Sequence, residues 1–260
     1  LKNLGIKAIL LFGTLTEKDS TGSNASNHNG LIQTAIRAIK QNVSDIAIIT
    51  DVCLCSYTTS GHCGIIDAQN FINNDDTIKI LGEIALSHAE AGAHVVAPSA
   101  MMDGQVAAIR SQLDDNNFHQ TCIMSYSAKY ASSFYGPFRE ASSSTPQFGN
   151  RESYQLNIAN KHEAFREIDA DIKEGADIVM VKPALAFLDI INKSHDLFNT
   201  PLAAFNVSGE YSMVHAAAQQ GWIDKNKIIL EILTSIKRSG ANLIITWQAK
   251  EIAEFIQTNN

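Results

Sequence analysis

The chain has 260 residues, 45 % apolar and 18 % charged, which supplies a large buried core and leaves too few charges for general disorder. Its 27 acidic residues outnumber 20 basic ones and no Lys/Arg run occurs, which argues against nucleic acid as a partner. Apolar runs are strand-sized and too short to cross a membrane, no segment reads as a signal peptide, and four cysteines are too few for a disulfide scaffold; a cytoplasmic, reducing setting is expected.

The opening "LKNLGIKAILLF" reads as the last turn of a helix, a cap at Gly5 and a strand over 8–12. A polar loop, 13–30, holds His28, expected to be solvated, and leads to helical spacing over 31–43. A strand over 45–51 runs into "DVCLCSYTTSGHCG". Next come a helix over 77–91 stopped by Gly92, a strand over 94–99, an "MMDG" turn in which Asp103 is structural, and a helix over 105–113. The strand over 121–127 buries Cys122 as a small core residue, and a long loop follows. Asn160 and Glu163 read as a capping box for a helix over 162–173, which Gly175 ends. A strand over 177–183, a helix over 185–197, a strand over 201–208, a helix over 228–237 ended near Gly240, and a strand over 242–247 complete the order.

Strands alternating with helices predict a parallel sheet with crossover helices, and apolar strands predict burial on both faces. Seven strands are one short of a (β/α)8 barrel. A chain that opens on the end of a helix implies a preceding strand–helix unit, so the expected fold is that barrel with its first strand missing from this chain. A seven-strand open sheet is the alternative. The whole chain, 1–260, reads as one catalytic barrel domain. Polar residues collect after the strands, where barrel active sites form, and the loops 13–30 and 128–160 are long enough to be lids.

Two features in those loops carry chemistry. Cys53, Cys55 and Cys63 supply three thiol donors on one loop. Three protein ligands with a fourth position open describe a catalytic zinc site, four describe a structural one, and ordinary reduced cysteines need no metal. His62 neighbours Cys63 too closely to share its metal easily and fits better beside the first ligands or toward a substrate. Lys182 in "DIVMVKPAL" and Lys129 in "SYSAKYASSFYG" each end an apolar strand. Burial and mutual repulsion lower the pKa of an amine, making it a nucleophile for a carbonyl; the alternative is that each snorkels to solvent. Arg139 and Arg151 in the long loop can clamp a carboxylate, and Ser208 can donate to an anion or cap a helix. Asp51, ahead of the cysteines, can orient an ammonium group.

"DVCLCSYTTSGHCG", "APSAMMDGQVAAIR", "MSYSAKYASSFYGPFRE", "DIVMVKPALAFLDI" and "VSGEYSM" resemble the signature segments of 5-aminolevulinate dehydratase, also called porphobilinogen synthase, over residues 5 to about 255. The resemblance implies condensation of two 5-aminolevulinate molecules to porphobilinogen, with loss of two waters, on a barrel with an N-terminal arm assembled as an octamer. It implies Schiff bases on Lys182 and Lys129 and a catalytic zinc on Cys53, Cys55 and Cys63. Arg139 and Arg151 would bind one substrate carboxylate and Ser208 the other, with Asp51 and Ser99 lining the site. Glu167 falls where some bacterial members bind an allosteric magnesium. The arm is absent from this chain. Trp247 and Phe205 stand where the family usually has Tyr, Ser60 where it has His, and Ser56 where it has Pro or Glu. A class I Schiff-base aldolase, which needs no cysteine loop, and a non-catalytic or weakened relative are the competing readings.

Overall fold

All seven expected strands form, and one register irregularity among them decides where the lysines point. The structure, a computed structural model, describes residues 1–259. In chain order it comprises β1 (Ala8–Leu11), α1 (Leu31–Asn42), β2 (Ala47–Val52), a small hairpin β3 (Ile65–Ile66) and β4 (Ile72–Asn73), α2 (Asn74–Ala91), β5 (Val95–Pro98) and α3 (Gln105–Asp115). Then follow β6 (Cys122–Lys129), α4 (Gly136–Ala141), α5 (Lys161–Glu174), β7 (Ile178–Lys182), α6 (Leu188–Leu197), β8 (Leu202–Asn206), α7 (Ser208–Gln219), α8 (Lys225–Arg238), β9 (Leu243–Thr246) and α9 (Ala249–Asn259). The hairpin, α4, α7 and α9 were not expected as such. Val207 caps α7 and Ser208 is its first helical residue, so Ser208 is not the cap.

The main sheet is parallel throughout, in the order β1-β2-β5-β6-β7-β8-β9. Side chains alternate across it as period 2 requires. Ala8, Leu10, Ile49, Val95, Ala97, Met124, Tyr126, Ile178, Met180, Ala203, Phe205, Leu243 and Ile245 share one interior cluster. That cluster draws on all seven strands, both edges included, so the sheet is curled into a nearly closed barrel and is not an open layer. The residues between them, such as Val52, Val96, Ile123, Val179 and Ala204, pack outward against the helices. β1 pairs only with β2 and β9 only with β8, leaving an apolar groove of about 460 Å³ between these edges, lined by Leu10, Phe12, Leu243 and Ile245 among others.

β6 and β7 pair Met124 with Ile178 and Ser125 with Val179, then Ala128 with Val181 and Lys129 with Lys182. One extra residue therefore sits in β6 between Ser125 and Ala128, a bulge that reverses which face later side chains occupy. Without it Ala128 would point inward after Met124 and Tyr126, and Lys129 outward. With it, both lysines enter the barrel side by side.

Candidate active site

Strand ends and the loops beyond them build one pocket lined by Asp51, Cys55, Ser99, Lys129, Arg139, Arg151, Lys182, Ser208 and Trp247, with Phe12, Tyr135, Phe138, Phe205 and Val207. Every expected catalytic and substrate-binding residue is there. Glu167 is not: it lies half-buried on α5, outside the barrel, where burial first and then Asp103 raise its carboxyl pKa. His28 is exposed and meets Glu90 at 3.0 Å. Asp103 shapes its turn through backbone bonds to Asn74. Cys122 is only half-buried, at the start of β6.

Lys182 ends β7 in an aromatic enclosure. Its Nζ lies 4.5 Å from the ring centre of Phe205, 5.0 Å from Tyr126, 5.1 Å from Tyr135 and 6.0 Å from Phe138. The faces of these rings attract a cation, an effect of at most about 2 kcal/mol each when desolvated. Burial and the neighbouring Lys129 outweigh that attraction and the charge of Asp51, and the Lys182 pKa falls from 10.5 to about 7. About half of this amine is therefore neutral near neutrality. Lys129 lies 5.6 Å from the centre of the same Tyr126 ring, and its Nζ donates to the Ser99 carbonyl. Ser99 thus meets Lys129 through its backbone oxygen, while its side chain lies beside Asp51.

Asp51 ends the inward row of β2. Burial raises its carboxyl to about 6 against the pull of Lys129, and its Oδ1 is buried without a hydrogen-bond partner. A carboxyl so placed can hold or release a proton near both amines. Tyr126, Tyr135, Phe138 and Phe12 were not foreseen. For Tyr126 the signal was available, since it stands two residues after inward-facing Met124 on β6.

Cys53, Cys55 and Cys63 are buried and unlinked. Their sulfurs lie within 4.8 Å of one another, and Cys53 and Cys55 are 3.5 Å apart, too far for a disulfide. Tetrahedral zinc with Zn–S near 2.3 Å sets sulfurs about 3.8 Å apart, so the donor set fits that ion. Among the described residues this is the one group of three such donors so close together. The Cys53 and Cys55 thiols donate to Cys63 and draw its pKa well down, while Cys53 is held up. Cys55 also lines the pocket that holds Lys129 and Lys182.

The long loop expected as a lid starts after Tyr130, because β6 extends through Lys129 and the isolated bridge Tyr130–Leu156 ties the returning chain to its end. Arg139 stacks over Tyr135 at 5.7 Å. Arg151 is buried and donates from Nη2 to the carbonyls of Gly61 (2.8 Å) and Ser144 (2.5 Å). Burial opposes its charge, but the cysteine sulfurs outweigh burial and raise its pKa. Both arginines keep a buried Nε–H without a partner, spare donors for an anion. The Ser208 hydroxyl accepts from the Phe138 N–H at 3.1 Å. Trp247 is half-exposed and stacks on Phe12 at 6.1 Å. Phe205 has no hydroxyl to offer, and Ser60 holds its own loop by accepting the His62 N–H at 3.2 Å.

Residues 1–255 match the family model of delta-aminolevulinic acid dehydratase. A delta-aminolevulinic acid dehydratase of Archaeoglobus fulgidus is 56 % identical over 252 residues, covering 97 % of this chain and 78 % of the relative. One of Bacillus subtilis is 50 % identical over 256 residues, covering 98 % and 79 %. The crystal structure of the Toxoplasma gondii delta-aminolevulinic acid dehydratase (porphobilinogen synthase), in complex with its reaction product porphobilinogen, superposes with a TM-score of 0.98 at 42 % identity, covering all of this chain and 75 % of that one.

Proposed function

The chain belongs to the delta-aminolevulinic acid dehydratase family, and from that premise we propose how its residues divide the work. The enzyme is a hydro-lyase, a porphobilinogen synthase of tetrapyrrole and haem biosynthesis, joining two 5-aminolevulinate molecules with loss of two waters. The reading of its catalytic residues rests on Lys129 and Lys182, paired in register on adjacent strands and facing one pocket.

The neutral Lys182 amine attacks the keto carbon of one substrate, the carbinolamine loses water, and an imine forms; Lys129 does the same for the other. Each imine draws electrons from the carbon beside it, which permits carbon–carbon bond formation. Asp51, with its proton held near pH 6, takes or returns the proton each dehydration moves. Arg139 and Arg151 hold one substrate carboxylate, and Ser208 with the Trp247 indole N–H receives the other. The aromatic enclosure of Lys182 excludes water from the imine.

Cys53, Cys55 and Cys63 would hold zinc, which when bound supplies Lewis-acid polarisation of a substrate carbonyl. Glu167 is proposed as a ligand of an allosteric magnesium, supported by its half-buried carboxyl beside Asp103. Family membership supports a homo-oligomer, an octamer in the family's usual form. The free cysteines support a cytoplasmic setting, and no helix among the described residues is long and apolar enough to cross a membrane.

Borohydride trapping with 5-aminolevulinate, read by mass spectrometry, tests the assignment. Adducts are expected on Lys182 and Lys129; zinc-loaded protein with no adduct on Lys182 would refute it. Cys53→Ala is expected to lose bound zinc and turnover together, and unchanged activity would remove the metal's catalytic role.

A further inference from the structure

The lid rests on the cysteine loop through a set of hydrogen bonds that the reaction itself does not call for. Gln147 N–H donates to the Ser60 carbonyl at 2.9 Å, and Arg151 reaches the Gly61 carbonyl. Gly61 has φ +69°, and a Cβ there would come within 2.5 Å of the Thr145 carbonyl oxygen, so the two backbones touch at a position only glycine fills without strain.

His62 lies at the centre of this contact, 4 % exposed, its ring packed on Phe148 at 4.8 Å between centres. Its Nε2 is 3.0 Å from the Phe148 carbonyl, and its Nδ1 is 3.0 Å from the Tyr154 hydroxyl. A carbonyl only accepts, so Nε2 carries the hydrogen and Nδ1 accepts from Tyr154. The Tyr154 oxygen, having donated, accepts the Cys63 N–H at 3.4 Å. Donors and acceptors therefore match along an unbroken chain from the Cys63 backbone through Tyr154 and His62 to the lid backbone at Phe148. Both ring nitrogens are engaged, so His62 is neither a fourth metal ligand nor a substrate contact in this arrangement.

We propose that His62 and Tyr154 form a latch that couples metal occupancy of the cysteine loop to closure of the lid, an inference that rests on the zinc reading of the three cysteines. A cation joining Cys53, Cys55 and Cys63 fixes a loop that itself contains His62, directly before Cys63, and a loop free of that cross-link can move and break several lid bonds at once. The coupling is reciprocal: whatever factor zinc contributes to lid closure, the closed lid contributes to zinc affinity. His62 is thus a positioning residue that acts on Arg139 and Arg151 through the lid.

Hydrogen exchange of residues 142–154, with zinc added and with zinc chelated, reads the coupling without substrate. In the wild-type chain, zinc is expected to slow exchange in this segment by about tenfold relative to the chelated protein. Tyr154→Phe, which keeps the ring and loses the hydroxyl, and His62→Ala are expected to exchange at one fast rate in either condition. Both are also expected to bind zinc about tenfold more weakly in chelator competition, as loss of a partner that orients a ligand does. His62→Asn, able to keep one of the two bonds, should fall between. A wild-type lid indifferent to bound zinc, or variants with wild-type zinc affinity and zinc-responsive exchange, would overturn the latch alone. Wild-type protein that takes up no zinc would overturn the latch together with the metal reading.

Discussion

The pocket has two halves built on different physics. Its wall, the ends of β6 and β7 with Lys129 and Lys182, is placed by strand register and packed on the fully buried Tyr126 and Met180. Its roof, the cysteine loop and the lid, is joined chiefly by hydrogen bonds between two irregular segments. Apolar packing in the wall gives each amine one position at high cost of displacement. The roof's segments meet through these bonds and through the His62 ring packed on Phe148, outside the cluster that fills the barrel interior. The amines are thereby fixed by core packing, and Arg151 by the hydrogen bonds of the roof.

Changes to the wall should therefore cost most. Lys182→Ala removes the amine and should lower porphobilinogen formation by roughly four orders of magnitude or more, with the fold intact by circular dichroism. Retention of a tenth of the activity would move the first imine elsewhere. Deleting Ser127 removes the extra residue, so simple alternation after Tyr126 by itself turns Lys129 inward beside Lys182. Trapping on both lysines should persist in the folded variant. Loss of the Lys129 adduct in a folded deletion variant would show that the bulge sets the pair by more than its residue count.

A change of pH probes the wall without altering a residue. Lys182 has its pKa lowered to about 7, so its neutral fraction is about nine-tenths at pH 8 and about one-tenth at pH 6. Initial trapping of a γ-keto acid on Lys182 should fall about tenfold across that range, and a flat profile would place the amine outside the enclosure. The sign for stability follows: between about 7 and 10.5 the unfolded chain binds the proton and the native state does not, so this group's contribution to stability rises with pH over that window and levels off below 7. The smallest effect belongs to the rim. Trp247→Tyr with Phe205→Tyr adds two phenol donors where the family usually has them, and a hydrogen bond of about 1 kcal/mol should lower KM about fivefold with little change in kcat. An unchanged KM would place the second substrate carboxylate beyond their reach.

Much of this was legible in the chain. The apolar runs gave all seven strands to within a few residues, since a strand buried on both faces needs such a run whatever its neighbours. The strand-end lysines, the arginines, Asp51, Ser99, Ser208 and Trp247 proved to line one pocket. The helix α7 was expected only as an unbounded segment that Ser208 could cap, because its start depends on Glu210 accepting the Val207 N–H at 2.5 Å, a bond that spacing does not announce. Tyr126 was passed over because a tyrosine in a strand usually signifies only core. His62 was placed near the metal or substrate, and its partners, Phe148 and Tyr154, stand 86 and 92 residues away.

By itself the sequence determined which chemistry is available: three clustered thiols, two amines at strand ends, two arginines in a long loop. Each is a local property of composition or period and survives any arrangement of the rest. Tertiary structure alone decided that the sheet curls rather than lies open, that Glu167 stands outside the barrel, and that His62 faces the lid. It also decided that Lys129 meets Lys182. Alternation along β6 by itself would send Lys129 out, and only pairing with β7, more than 50 residues on, reveals the extra residue that brings it in. Register belongs to two strands together, so neither strand's sequence contains it.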